Sequence, residues 1–205
     1  DRLKIKKTPQ LGTLKKFIKN YKNPESEVTI AMCGKYTELI DSYKRVMEAL
    51  VHAGVENNEQ VNIKLIKTEK IKKLKDVEKV FPNINGVLIL PGFGSRGSEG
   101  KIKIVKYSRE NKVPFLGICL GLQCAVIEFA RNVCKMQGAN STEFNSKTQY
   151  PVIDLMESQR AIKIKGGTMR LGAYECEIKV GTKAYSAYGT KKISERHRHR
   201  YEVNN

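Results

Sequence analysis

The chain has 205 residues, 40% of them hydrophobic, enough for one α/β domain with a full core, or one domain and an arm. It contains no run of about eighteen apolar residues and no signal-peptide pattern, so a soluble, cytoplasmic protein without membrane contact is expected. Thirty-eight Lys and Arg against 21 Asp and Glu give a net charge of +17, but the lysines are scattered and never interleaved with aromatics, so no nucleic-acid partner is expected, and the excess favours anionic partners.

The chain opens on Asp1 and not on Met, so a longer parent chain is expected. Within residues 1 to 24, Leu11, Leu14, Phe17, Ile18 and Tyr21 recur at helical spacing before Asn23-Pro24, which predicts an amphipathic linker arm ahead of a domain over 25 to 205. Val28 to Cys33, ending at Gly34, reads as the first strand. Asp41 or Ser42 can then cap a helix with Val46, Ala49, Leu50 and Ala53 inward and Gly54 as its stop. Val61 to Ile66 alternates as a strand, and Thr68 to Val80 predicts a helix with Ile71, Leu74 and Val77 inward. Gly86 to Leu90 is a continuous apolar run of the kind buried in a parallel sheet.

Pro91 to Gly100 follows with glycines at 92, 94, 97 and 100. A glycine-rich loop at the carboxyl end of a buried strand is where open α/β sheets bind ligands, and its N–H groups can hold an anion. Gly92, Gly94 and Gly97 fit the letters of GxGxxG. The loop follows the third strand, however, and no acidic residue closes a second strand about twenty residues on, so a dinucleotide site is rejected. Ile102 to Arg109 predicts the helix that returns to the sheet.

Val113, Phe115, Leu116 and Ile118, bounded by Pro114 and Gly117, read as a buried strand. After Cys119 the spacing becomes helical through Leu122, Ala125, Val126, Phe129 and Val133. Cys119 therefore falls where a strand turns sharply into a helix, with Gly117 and Gly121 allowing the tight turn. At that place the helix N-terminus favours a thiolate. Read from this stretch alone, a buried structural Cys fits equally well. The five cysteines (33, 119, 124, 134, 176) are an odd number without CxxC, so neither a disulfide framework nor a zinc site is indicated, and reduced thiols are expected. Cys124 lies about 140° round the helix from Cys119, which predicts core. His52, late in an early helix, reads as structural.

A glycine loop and an elbow Cys at one sheet edge suit acyl transfer, with thiolate attack and an oxyanion hole of backbone N–H groups. GICLGLQ preceded by PGFG resembles the nucleophile region of the class I glutamine amidotransferases. More narrowly, GKYTELIDSYKRVMEAL (34 to 50), GFGSRGSEGKI (92 to 102), GICLGLQCAVIEFARNV (117 to 133), ANSTEF (139 to 144), GGTMRLG (166 to 172) and ERHRHRYEVNN (195 to 205) resemble the glutaminase half of the CTP synthases, from about Val28 onward. The resemblance implies a three-layer, flavodoxin-like α/β fold with a mostly parallel central sheet. It implies Cys119 as the nucleophile that takes the γ-glutamyl group of glutamine and frees ammonia. The oxyanion donors would be the backbone of Gly92 and Leu120, and Gly121, Leu122, Gln123, Glu143 and Arg200 would complete the glutamine site. A carboxylate for the α-ammonium and a guanidinium for the α-carboxylate agree with that chemistry.

His197 and His199 lie two apart, so on a strand they share one face and Arg198 and Arg200 the other. The resemblance assigns the general base elsewhere, to a His-Pro-Glu-Phe-like segment that residues 1 to 205 do not contain. It follows that the polypeptide alone should have weak glutaminase activity at most, and a catalytically incomplete remnant or regulatory module binding glutamine or a partner is the competing reading. The family loop reads PGGFG where this chain reads LPGFG. Pro91 has no N–H, so an oxyanion hole that uses Gly92 or Phe93 survives, while one that uses the preceding N–H does not. The resemblance places ATP, UTP and Mg²⁺ on a synthetase domain of the same polypeptide, in a homo-oligomer, with GTP as activator. The segment from Tyr150 to Gly167 would bear on the GTP response.

Overall fold

The structure, a computed structural model, describes residues 10–35, 37–38, 40–160 and 170–204. It divides into two units, Asp1–Cys124 and Ala125–Asn205. In the first, the apolar repeat from Leu11 forms α1 (Gly12–Lys22), which turns the edge of Phe17 against His52, ring centroids 5.1 Å apart. Asn20 adds an amide hydrogen bond to the Val55 carbonyl at 3.2 Å. Leu14 and Tyr21 stay exposed, so the arm packs by one narrow face.

The centre of the first unit is β1 (Ser26–Gly34), with Ala31, Met32 and Cys33 fully buried. The sequence from Lys35 leads through a 3-10 turn at Ile40–Tyr43 into α2 (Lys44–Glu56). It then forms β2 (Glu59–Lys67), α3 (Leu74–Val80), β3 (Gly86–Ile89), α4 (Ser98–Glu110) and β4 (Phe115–Gly117). The strands make one parallel sheet in the order β2-β1-β3-β4, with Met32 beside both Leu65 and Leu88, and Ile89 beside Gly117. From β1 the chain steps outward to β2, and from β3 outward the other way to β4. Right-handed crossovers therefore set α2 on one face and α4 on the other, with the switch between β1 and β3. On the α2 face Met32, Leu88, Leu90 and Tyr43 form a buried cluster closed by Val46, Met47 and Leu50.

The helices of this unit correct several local expectations. Neither Asp41 nor Ser42 caps α2, because the 3-10 turn carries the chain on and Tyr43 precedes the helix. Gly54 does not stop α2. It is buried within it, where a Cβ would stand 2.6 Å from the Glu59 carbonyl oxygen, and that approach to β2 sets the helix rotation. The inward residues are accordingly Val46, Met47, Leu50 and Val55, while Ala49 and Ala53 are exposed. The expected helix over Thr68 to Val80 is a 3-10 turn (Thr68–Lys70), an extended Ile71, and α3. Asp76 causes the restart, taking the backbone N–H groups of Lys72 and Lys73 at 2.8 Å each, which satisfies donors that a new helix end leaves open.

The helix α5 (Leu120–Asn132) spans the division between the units. Its expected apolar face of Leu122, Ala125, Val126, Phe129 and Val133 is not the buried one. Leu120, Cys124, Ile127 and Ala130 are inside, and Leu122 and Phe129 are about half exposed at 54% and 51%. Gly121 decides this, since its Cα lies so close to β3 that a Cβ would meet the Ile89 carbonyl oxygen at 2.5 Å. Cys124 is core, as its spacing from Cys119 predicts.

The second unit contains β5 (Asn140–Ser141), β6 (Pro151–Leu155), α6 (Glu157–Arg160), β7 (Arg170–Glu177), α7 (Lys183–Tyr188), β8 (Lys192–His199) and β9 (Tyr201–Val203). β6 pairs in parallel with β5 and antiparallel with β9, around the buried Ile153. β7 and β8 form a separate antiparallel ribbon.

Candidate active site

β4 ends at Gly117, and Ile118 continues its line by donating N–H to the Ile89 carbonyl at 3.1 Å. Cys119 then adopts φ +55°, the left-handed region that a residue with a Cβ enters only under constraint. The next residue begins α5, and Gln123 N–H closes on the Cys119 carbonyl at 3.2 Å. This is the strained strand-to-helix elbow that lifts a nucleophile above a sheet. Both flanking glycines are steric necessities: a Cβ on Gly117 would stand 2.5 Å from the Gly121 carbonyl carbon, and one on Gly121 would strike Ile89. Cys119 is half-buried, at the positive end of a 13-residue helix.

The loop after β3 lies beside the elbow. A Cβ built on Gly92 would have Leu120 Cδ2 at 3.5 Å, Lys35 Cε at 3.6 Å and Lys101 Nζ at 3.7 Å. Gly92 and Leu120, the pair singled out as oxyanion donors, are thus neighbours. Gly121 and Gln123 are buried in the same unit, whereas the Leu122 side chain points largely to solvent. Gly97, at φ +77°, turns the loop into α4.

Two lysines hold that loop, and neither was singled out from the sequence. The Lys35 ammonium donates to the Phe93 carbonyl. Lys101 is fully buried and donates to the Leu90 carbonyl at 2.9 Å. Burial pushes the Lys101 amine below the usual lysine range, Cys124, Cys119 and Cys33 draw it back up, and Lys35 adds to the fall. Burial pushes the Cys33 thiol far up, so it stays protonated. A signal for Lys101 existed: it stands three, four and seven residues before Ile104, Val105 and Ser108, on the one buried stripe of α4.

Glu143 and Arg200 belong to the second unit. Glu143 sits in the turn after β5, its N–H on the Ser141 hydroxyl at 3.1 Å. Arg200 falls in the bend between β8 and β9, its carbonyl accepting the Met156 N–H at 3.0 Å. Burial raises the Tyr201 phenol, the Glu143 carboxylate raises it further and the Arg200 guanidinium lowers it, so both charges bear on one hydroxyl. His197 and His199 do share a face, rings 5.3 Å apart, with Tyr174 packed edge-on to His197. Arg200 leaves the alternation because β8 ends at His199. Most of GGTMRLG, residues 166 to 169, and the part of Tyr150 to Gly167 beyond Arg160 lie outside the described residues. Among the described residues no cluster of His, Cys, Asp and Glu is arranged to hold a metal ion, and no helix is long and apolar enough to cross a membrane.

A parallel sheet that presents a strained elbow cysteine next to a glycine loop defines the class of α/β proteins that display a thiol at a strand-to-helix turn. The family described as "Glutamine amidotransferase class-I" matches residues 38–205, and the chain belongs to that family. Within it, the chain is similar to CTP synthases. It is 57% identical to the CTP synthase of Chlorobium luteolum over 199 residues, covering 96% of this chain and 33% of the relative. It is 57% identical to that of Prosthecochloris aestuarii over 205 residues, covering 99% and 36%. The chain therefore spans about a third of the length of these relatives. Among solved structures, the Trypanosoma brucei CTPS glutaminase domain with bound acivicin is similar, with a TM-score of 0.78 and 34% identity over 86% of this chain and 68% of that one. The three-layer α/β fold with a parallel central sheet follows from both the strand order and this likeness.

Proposed function

We propose that Cys119 hydrolyses glutamine and that the ammonia feeds the amination of UTP to CTP in a CTP synthase of which this chain is the glutaminase part. The observation that carries the reading is Cys119 at φ +55° on the elbow before α5, with Gly92 and Leu120 adjacent. The thiolate attacks the side-chain carboxamide carbon and forms a C–S bond while the carbonyl pair moves onto oxygen. The N–H groups of Gly92 and Leu120 receive that oxyanion, and Pro91, which lacks an N–H, leaves this pair intact. Collapse breaks the C–N bond, and the nitrogen departs as ammonia carrying the proton the thiol gave up. Water then cleaves the thioester to glutamate and returns the thiolate.

In this reading residues 1–24 are a linker and 25–205 the glutaminase domain. Gly121, Leu122 and Gln123 supply the wall and backbone of the glutamine site. Glu143 takes the α-ammonium of glutamine and Arg200 its α-carboxylate, each by charge complementarity. Leu122 contributes backbone only, because its side chain is largely exposed. ATP, UTP and Mg²⁺ would bind the synthetase domain of the same polypeptide in a cytoplasmic homo-oligomer, with GTP as activator, and no step at Cys119 passes through them.

The test is alkylation by a chloroketone analogue of glutamine, read by peptide mass spectrometry. Selective modification of Cys119, suppressed by glutamine and absent in Cys119→Ala, is the expected result. Equal modification of the exposed Cys134 and Cys176, or no protection by glutamine, overturns the reading. Glutamine binding without modification favours a regulatory module.

A further inference from the structure

Among the described residues Lys101 is the only buried lysine, with no measurable exposure. Enclosing an ammonium costs several kcal/mol unless an anion or well-placed acceptors compensate. One acceptor is the Leu90 carbonyl at 2.9 Å. Cys124 on α5, Lys35 in the loop after β1, Cys119 on the elbow and Cys33 on β1 weigh on Lys101 in that order. Of these groups, the ones that can become anionic are the three thiols. Burial holds Cys33 protonated and disfavours a charge on the fully buried Cys124, whereas Cys119 is half-buried and alone of the three stands at a helix N-terminus; it precedes Leu120, whose Cδ2 lies 3.5 Å from the Gly92 Cβ position that has Lys101 Nζ at 3.7 Å.

The same cation also controls the loop. Its bond to Leu90 O fixes the peptide that enters Pro91, and the proline ring sets the next φ at about −65°. Only the ψ of Pro91 is left to aim the Gly92 N–H, and Lys101 Nζ stands 3.7 Å from the Cβ position of Gly92 itself. Lys35, bound to the Phe93 carbonyl, secures the far end of the same four residues.

We propose that Lys101 is a positioning residue of the site, a buried cation paired electrostatically with the Cys119 thiolate and hydrogen-bonded to Leu90 so that the Gly92 N–H is held toward the elbow. Burial favours a neutral amine, and a neighbouring thiolate favours the ammonium. The inference rests on Cys119 being the reactive thiol of the site.

The experiment measures the rate at which iodoacetamide alkylates Cys119 across the neutral and alkaline range, in the full chain and in Lys101→Met and Lys101→Arg. Removing the cation is expected to raise the midpoint of the Cys119 profile by about one pH unit, a roughly tenfold slower reaction below the midpoint. Arg keeps its charge at every accessible pH, so Lys101→Arg should leave the midpoint in place. A midpoint in Lys101→Met equal to that of the parent chain overturns the proposal. Should Lys101→Met fail to fold, Cys119→Ala supplies the reciprocal reading: the Lys101 Nζ signal, followed by NMR of lysine-labelled protein, should titrate at lower pH once the thiolate is gone. An unmoved Lys101 titration overturns the pairing. Iodoacetamide needs no glutamine site, so failure of the chloroketone test and failure of this one are separate results.

Discussion

Gly117 and Gly121 approach so closely that a Cβ on Gly117 would stand 2.5 Å from the Gly121 carbonyl carbon. Neither backbone can give way, because Gly121 is itself pressed against Ile89. Gly117→Ala is expected to cost about 1–3 kcal/mol in denaturant melts and to abolish the selective alkylation of Cys119. A Gly117→Ala chain with parental stability and labelling would show that the elbow tolerates a side chain.

Cys119 holds φ +55° at a cost of about 1–2 kcal/mol relative to glycine. Cys119→Gly removes that strain and adds unfolded-state freedom of similar size, so stability should stay within about 1 kcal/mol of the parent while all labelling by the glutamine analogue is lost. Cys119→Val, branched at Cβ, should be the less stable of the two by about 1–2 kcal/mol. Thermal melts that rank Val above Gly would place the strain elsewhere.

A glycine inside a helix ordinarily weakens it by about 1 kcal/mol relative to alanine. Gly100 in α4 should behave oppositely, because its Cβ would stand 2.0 Å from the Thr68 carbonyl oxygen. Gly100→Ala is expected to destabilise by about 1–3 kcal/mol. Gly12→Ala, where nothing lies within 4 Å, should stabilise by a few tenths up to about 1 kcal/mol. Urea melts of the pair decide whether that close approach is rigid.

Asp154 in the second unit is held as a carboxylate by three donors. The Thr142 hydroxyl donates to it at 2.6 Å, the Leu155 N–H at 2.7 Å and the Arg160 guanidinium at 2.8 Å, and these hold its carboxyl below the usual range with the Thr142 bond foremost. A depressed folded-state pKa contributes stability that is full above the unfolded value of about 3.9 and disappears as pH falls through the folded one. Thr142→Val should lose about 1 kcal/mol at neutral pH and show a shallower decline in acid. An acid limb identical to the parent would assign the sensitivity to another carboxylate.

The elbow could be read from residue order because its causes are local. A switch from strand to helix period, with glycines two residues to either side of Cys119, leaves the backbone one compact way to turn, and the Cys119 torsion confirms it. β3 was readable for the same reason, as Gly86 to Leu90 is apolar without interruption, but the expected buried strand of Val113, Phe115, Leu116 and Ile118 is a short edge strand with Leu116 61% and Ile118 36% exposed, because among the described residues β4 has a neighbour in the sheet on one side only. Helix faces were not. The apolar residues of α5 allow two stripes, and the choice of Leu120, Cys124 and Ile127 over Leu122 and Phe129 came from the backbone contact of Gly121 with Ile89, a neighbour some thirty residues away that no periodicity encodes. Lys101 is the sharpest case. In a chain with 38 basic residues a lysine after a glycine loop looks solvated, and its burial was settled only when α4 packed back against the end of β3 and the loop that follows it. Residue order therefore determined the elbow and the cysteine it displays, because short-range sterics suffice for both, while tertiary packing decided which helix faces and which lysine are buried, because burial is a property of neighbours distant in the chain.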